Sequence, residues 1–168
     1  MPRQPILTAS DILRYLRQGK TQAEIAKIFG VTPAYVSKIK TGAGIVLSAR
    51  EEVRRYWPWK VPAGLQDMNI PKRLRDHLEY FATRGRGMRR DALVRLRSFY
   101  QKLFDNDLVV EFHPDIPPNS DAKKGGWIFR PRVDTDGDLM IRVNEVTDLP
   151  DMGDVVWRLP DRADWPTV

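Results

Sequence analysis

Chemistry on a protein needs side chains that attack, move protons or hold a metal, and this chain of 168 residues has few of them. It contains no cysteine, hence no thiol nucleophile, no disulfide and no thiolate zinc site. Two histidines, His77 and His113, cannot build a histidine-rich metal cage by themselves. The run Asp134-Thr135-Asp136-Gly137-Asp138 opens like a calcium loop, but such a loop needs glycine at its sixth position and glutamate at its twelfth. Those positions hold Leu139 and Glu145, and the glycine sits at the fourth, so the run reads as an acidic hairpin turn. Asp105 and Asp107 could hold magnesium for a nuclease, yet they read better as the end of the preceding helix. A tyrosine recombinase needs arginines and a histidine converging on a tyrosine, and no spacing here matches that. The expectation is a chain with no catalysis, no metal, no cofactor and no small-molecule ligand.

A row of hydrogen-bonding and cationic groups at helical spacing offers a different chemistry. Between Gln22 and Lys40 the residue types meet the packing demands of a helix-turn-helix, two short helices joined by a glycine-containing turn. Ala26 is small where the second helix must cross closely, and Gly30 accepts the turn geometry. Val31, Val36 and Ile39 are apolar where an inner face must be buried. The opposite face then presents Thr32, Ala34, Tyr35, Ser37 and Lys38. The N-terminal part of such a helix enters the major groove and meets base edges. Thr32 and Ser37 can donate or accept hydrogen bonds, and Pro33 and Ala34 can pack on a thymine methyl. Tyr35 can reach a base or the backbone, while Lys38 and Lys40 lie nearer the sugar–phosphate strand. Thr21 and Gln22 start the first of the two helices, where free N–H groups suit a phosphate. The implied partner is double-stranded DNA. A bundle that binds protein instead, as an antitoxin or adaptor does, is the bland alternative, and a recombinase or nuclease accessory is another.

The elements that must hold this face announce themselves through caps. Thr8 with Asp11, Thr21 with Glu24 and Ser48 with Glu51 each fit a capping box. They place helices from Thr8 to about Gln18, from Thr21 to Gly30, and over about 49–57. Thr32 with Pro33 opens a helix between the second and the last of these. Residues 1–7, with two prolines and no periodicity, read as a mobile arm. Pro58 breaks the chain inside Trp57-Pro58-Trp59, whose tryptophans read as core plugs at a hinge. Asn69 and Pro71 start a helix bearing Leu74, Leu78 and Phe81, and Asp91 caps another bearing Leu93, Leu96, Tyr100, Leu103 and Phe104. Short β-branched or apolar runs follow at 108–112, 126–130, 139–143 and 155–159, with Asp136-Gly137 as a hairpin signal. The expected fold is mainly α with a C-terminal α+β domain. A helix-turn-helix domain (1–46), a connecting helix with the Trp-Pro-Trp hinge (47–68), and a domain of helices plus a small antiparallel sheet (69–168) make up the chain.

Charge separates along these divisions. Residues 1–60 hold 11 basic and 4 acidic side chains, and residues 61–104 hold 10 and 4. Residues 105–168 hold 7 and 14, so a +13 stretch precedes a −7 stretch in a chain of net charge +6. The basic part favours a polyanion. Arg84, Arg86, Arg89 and Arg90 crowd a glycine-containing segment that reads as a second phosphate clamp. No apolar run approaches the roughly 18–20 residues of a spanning helix, and no signal peptide opens the chain, which places it in the cytoplasm.

Several strings are distinctive together: Trp57-Pro58-Trp59, RLRDHLEY at 73–80, DNDLVVEFHPDIPP at 105–118, GGWIFRPR at 125–132 and GDLMIRVNE at 137–145. On these the chain resembles the immunity repressors of cluster A mycobacteriophages, nearly end to end. The resemblance implies a prophage repressor that keeps the lytic promoter off and confers immunity to superinfecting relatives. It also implies binding, as a monomer, to short asymmetric operator and stoperator sites, where elongation is blocked. One recognition helix reads only about four or five base pairs, too few for a genomic address. A monomer therefore needs a second contact surface on the same chain, and the basic helical stretch of 69–104 offers one. The helix at 49–57 and the hinge would set the spacing between the contacts, with the acidic part turned away from the duplex.

Overall fold

A computed structural model describes residues 7–45 and 49–168. The chain divides into two compact units, Met1–Trp57 and Pro58–Val168. Among the described residues the architecture is mainly helical, with seven α-helices and one two-stranded antiparallel sheet.

The first unit is a bundle of three short helices, α1 (Ala9–Arg17), α2 (Gln22–Phe29) and α3 (Pro33–Gly42), followed by the single turn α4 (Ala49–Glu52). Local side chains set the boundaries. Thr8 Oγ1 accepts from the Asp11 N–H at 3.2 Å, and Asp11 accepts from the Thr8 N–H at 3.1 Å. Thr21 and Glu24 repeat the exchange at 3.1 and 2.7 Å. Thr32 Oγ1 accepts from the Tyr35 N–H at 3.2 Å, with Pro33 in the first helical position. Each such cap contributes about 1 kcal/mol. Ile12, Leu16, Ile25, Ala26 and Val36 form the core, with Tyr15, Phe29, Val31 and Ile39 packed around them.

Leu7 corrects the expectation of a mobile arm over 1–7, because it is buried in that core. It stands directly before the cap residue Thr8, the position from which an apolar side chain staples to the fourth helical residue, here Ile12. Residues 1–6, and the Ser48 half of the third expected capping box, lie outside the described residues. Gly30 closes α2 at φ +65°, in the left-handed region, and a Cβ there would meet nothing within 4 Å. Gly30→Ala is therefore expected to cost only the backbone term, about 1–2 kcal/mol. A drop of several degrees in the thermal midpoint, with the circular dichroism spectrum unchanged, checks this.

The helix expected over 49–57 is α-helical only through Glu52 and tightens to a 3-10 helix over Val53–Tyr56. Trp57 precedes a proline and takes the extended conformation that such a residue prefers, at ψ 119°. Arg17 pairs with Glu51 at 3.0 Å, and Arg54 donates to the Arg17 carbonyl, so this segment is tied to α1.

The second unit pairs two longer helices, α5 (Asn69–Thr83) and α6 (Arg90–Asp105), with strands β1 (Leu108–Phe112) and β2 (Trp127–Pro131). The strands run antiparallel, with Val110 opposite Phe129. Aromatic rings fill the core. Trp59 lies 5.2 Å from Trp127 and 5.7 Å from Trp157, and Phe112 lies 4.6 Å from Trp127. His77 of α5 is fully buried against them. Its Nδ1 is 2.7 Å from the Tyr100 hydroxyl and its Nε2 is 2.6 Å from the Val156 carbonyl. The carbonyl can only accept, so Nε2 carries the proton and Nδ1 accepts from Tyr100.

Two of the four expected strands are not strands. Residues 139–143 make single bridges, Val110 with Ile141 and Leu139 with Arg158. Residues 155–159 begin inside the one-turn helix α7 (Gly153–Val156). The hairpin expected at Asp136-Gly137 is a 3-10 turn over Asp134–Asp136. A type I′ hairpin needs positive φ at both central residues, and here only Gly137 has it. The Asp136 carboxylate instead turns inward and accepts from the Val133 N–H and from Arg142, both at 2.8 Å. Burial works against its charge, but Arg142 and the Val133 N–H hold the carboxyl below its usual range.

Candidate nucleic-acid interface

Helix α3 carries one fully buried side chain, Val36, with Ile39 half-buried beside it. Thr32, Pro33, Ala34, Tyr35, Ser37 and Lys38 are all exposed. This division follows from spacing, because residues three apart share a face while the intervening ones cannot. Tyr35 is 44% exposed, a large aromatic left in solvent at the N-terminal end of the helix. The face thus combines two hydroxyls, a phenol, a methyl surface and an ammonium within two turns, groups able to pair with base edges and phosphates.

Thr21 and Gln22 begin α2, as the caps require. They line a cleft of about 200 Å³ of mixed charge, together with Lys20, Lys40 and Arg55 and with Glu51 and Glu52. Lys40 differs from Lys38. Its ammonium is 3.7 Å from Glu52, and only 22% of the side chain is exposed. Part of its charge is thus answered inside the unit. Ile28 of α2 points outward, 51% exposed, although its apolar neighbours Ile25 and Ala26 are buried.

In the second unit Arg84, Arg86, Arg89 and Arg90 are all exposed, on the turn that joins α5 to α6. Arg84 ends α5 in the left-handed conformation, at φ 54°, with its N–H on the Tyr80 carbonyl. Arg86 Nε donates to the Thr83 carbonyl at 3.3 Å. Asp91 does not cap α6 as expected; Arg89 occupies the cap position, and Asp91 sits in the first turn, 3.2 Å from Arg89 and 3.8 Å from Arg95. A carboxylate there favours the helix through the dipole rather than through a cap bond. Two other basic groups of these helices, Arg73 and Arg97, face internal partners. Arg73 pairs with Asp76 at 2.9 Å, and Arg97 donates to the Pro166 carbonyl at 2.8 Å.

The groups weighed for catalysis have structural partners. Asp107 pairs with Arg132 at 3.1 Å, His113 lies 3.0 Å from Glu145, and His77 is sealed in the core. Among the described residues no cluster of three or more acidic or histidine side chains could hold a metal ion, and no helix is long and apolar enough to cross a membrane.

No family model matches the chain. Among curated proteins it is similar to the "Repressor-like immunity protein" of Mycobacterium phage L5, at 41% identity over 156 residues, spanning 92% of this chain and 85% of the relative. Identity of that depth across nearly the whole length reflects common descent rather than a shared short motif. The chain therefore belongs to the family of the mycobacteriophage repressor-like immunity protein and is a phage immunity repressor homologue.

Proposed function

We propose that this protein is a sequence-specific DNA-binding transcriptional repressor that maintains phage lysogeny and superinfection immunity, acting on phage DNA in the host cytoplasm without catalysis. In this reading α2 and α3 act as a helix-turn-helix. Thr32, Pro33, Ala34, Tyr35 and Ser37 meet base edges, and Lys38, Thr21 and Gln22 meet phosphates. Lys40, answered by Glu52, contributes less. The protein binds short asymmetric operator and stoperator sites as a monomer. The helix-turn-helix domain (1–46) reads the bases, and residues 47–68 connect it to a domain (69–168) that grips the backbone through Arg84, Arg86, Arg89 and Arg90. The observation that carries the reading is the face of α3, polar and exposed around a single buried valine, in a homologue of an immunity repressor.

Footprinting on phage DNA, with particle mass measured on one short site, tests this. One chain per asymmetric site is the expected result; two chains about a dyad would overturn the monomer. Side chains can then be sorted by role. Lys38→Ala is expected to weaken binding to all sequences and to lower the salt slope by about one unit. Ser37→Ala should relax discrimination at one or two base pairs, by about 1–3 kcal/mol. Gel shifts over operator variants at several salt concentrations separate the two patterns.

A further inference from the structure

The β1–β2 connection lies in the acidic stretch of the chain, yet its tip reads Lys123-Lys124-Gly125-Gly126, with both lysines exposed. The connection is built as a rigid part. The Asn119 side chain organises it: its oxygen accepts from the Asp121 and Ala122 N–H groups at 2.9 and 3.1 Å. Its NH2 donates to the Pro117 and Trp127 carbonyls, both at 3.0 Å. The Gly126 N–H closes on the Ile116 carbonyl at 2.8 Å. Gly125, at φ +76°, passes so close that an added Cβ would lie 2.3 Å from the Ile116 oxygen. The base of the connection rests on Leu65, whose carbonyl accepts the Trp127 indole N–H at 2.9 Å. Asp67 lies two residues further on, just before α5. The Lys72 ammonium of α5 is 2.6 Å from it. Arg75 of α5 donates to the carbonyl of Gln66, the residue before Asp67, at 2.9 Å. Lys72, then Lys124 and Arg75, hold the Asp67 carboxyl below its usual range.

We propose that Lys123 and Lys124, together with Lys72 and Arg75, form a further phosphate-binding surface for the backbone of double-stranded DNA, distinct from the Arg84–Arg90 segment. Lys72 and Arg84 are twelve residues apart along α5, roughly 18 Å on a helix axis, so the two basic groups occupy opposite ends of one rod. Three cations, Lys72, Lys124 and Arg75, act on the exposed Asp67 carboxylate, and Lys123 adjoins Lys124 in the chain, so positive charge is in excess. Exposed pairs such as Lys72–Asp67 are weak enough to exchange for phosphate. The bracing of the connection means that little backbone freedom is lost when its lysines engage a ligand. The inference rests on the repressor reading above and extends its backbone contacts.

The test uses the full chain and an operator fragment identified by footprinting. Lys123→Gln/Lys124→Gln is expected to weaken binding roughly five- to thirtyfold at 0.15 M salt and to lower the salt slope by about 1–2 units. Phosphate-ethylation interference should lose a discrete group of positions. Lys123→Arg/Lys124→Arg should retain the parent behaviour, and Asp67→Asn should bind about twofold tighter, since it removes an exposed competing charge. A double glutamine variant with the parent's affinity and slope overturns the proposal. So does weaker binding with every interfering phosphate retained, since that is a diffuse charge effect. A parent protein that binds all DNA alike defeats the repressor reading instead, so the two failures are distinct.

Discussion

Trp127→Ala is expected to remove about 3–5 kcal/mol of stability, a large part of what a domain of this size possesses. The side chain is fully buried, with ring centroids 4.6 Å from Phe112 and 5.2 Å from Trp59. Truncation leaves a void between two aromatic neighbours that β1 and the Pro58 segment hold in place, so the site collapses poorly. It also leaves the Leu65 carbonyl, which accepts the indole N–H at 2.9 Å, without that donor. Trp127→Phe should cost less, because it keeps most of the volume and loses mainly the hydrogen bond. Urea titrations followed by near-ultraviolet circular dichroism measure both. An alanine variant within 1 kcal/mol of the parent would show that Trp127 is not the centre of this core.

The second large effect is a pH dependence carried by His77. An imidazole ordinarily titrates near 6.5, and burial holds this one at about 4, against the opposing pull of the Val156 carbonyl. Above pH 6.5 the ring is neutral in both folded and unfolded chains, and the full stability is present. As the pH falls below 6.5 the unfolded chain takes up a proton that the folded chain refuses. Stability then declines by about 1.4 kcal/mol per pH unit until the folded ring protonates near pH 4. The total loss is about 3 kcal/mol. His77→Phe should flatten the profile between pH 6.5 and 5 while lowering stability throughout, because Tyr100 and Val156 lose their partner. Urea midpoints of both proteins across this range decide it; parallel profiles would mean that other groups carry the slope.

Where a boundary depends on neighbours three or four residues away, it was legible in the sequence. Thr8, Thr21, Gly30, Thr32 and Pro33 mark α1 to α3 because caps and left-handed turns are local requirements. The exposed face of α3 was legible for the same reason, since burying Val36 settles where Ser37 and Lys38 must point. The C-terminal stretch resisted such reading. Residues 139–143 and 155–159 have apolar runs that suit a strand or a buried turn equally, and partners distant in sequence choose between them. Arg142 is drawn to Asp136, and Trp157 to Trp59. The partial neutralisation of Lys40 by Glu52 was equally out of reach, since nothing in the spacing shows that α4 folds back. Lys123 and Lys124 were hidden by an average: a regional charge of −7 conceals two adjacent cations placed by a glycine pair.

The reach of the tryptophan cluster bears on how the chain matures. The N-terminal bundle is closed by partners a few dozen residues apart at most, so it can assemble while the rest is still leaving the ribosome. Trp59 packs on Trp157, almost a hundred positions later, so the aromatic core of the second unit is complete only when that residue has been made. The segment that carries α3 can thus be native well before the aromatic core of the second unit closes, and the delay is set by translation.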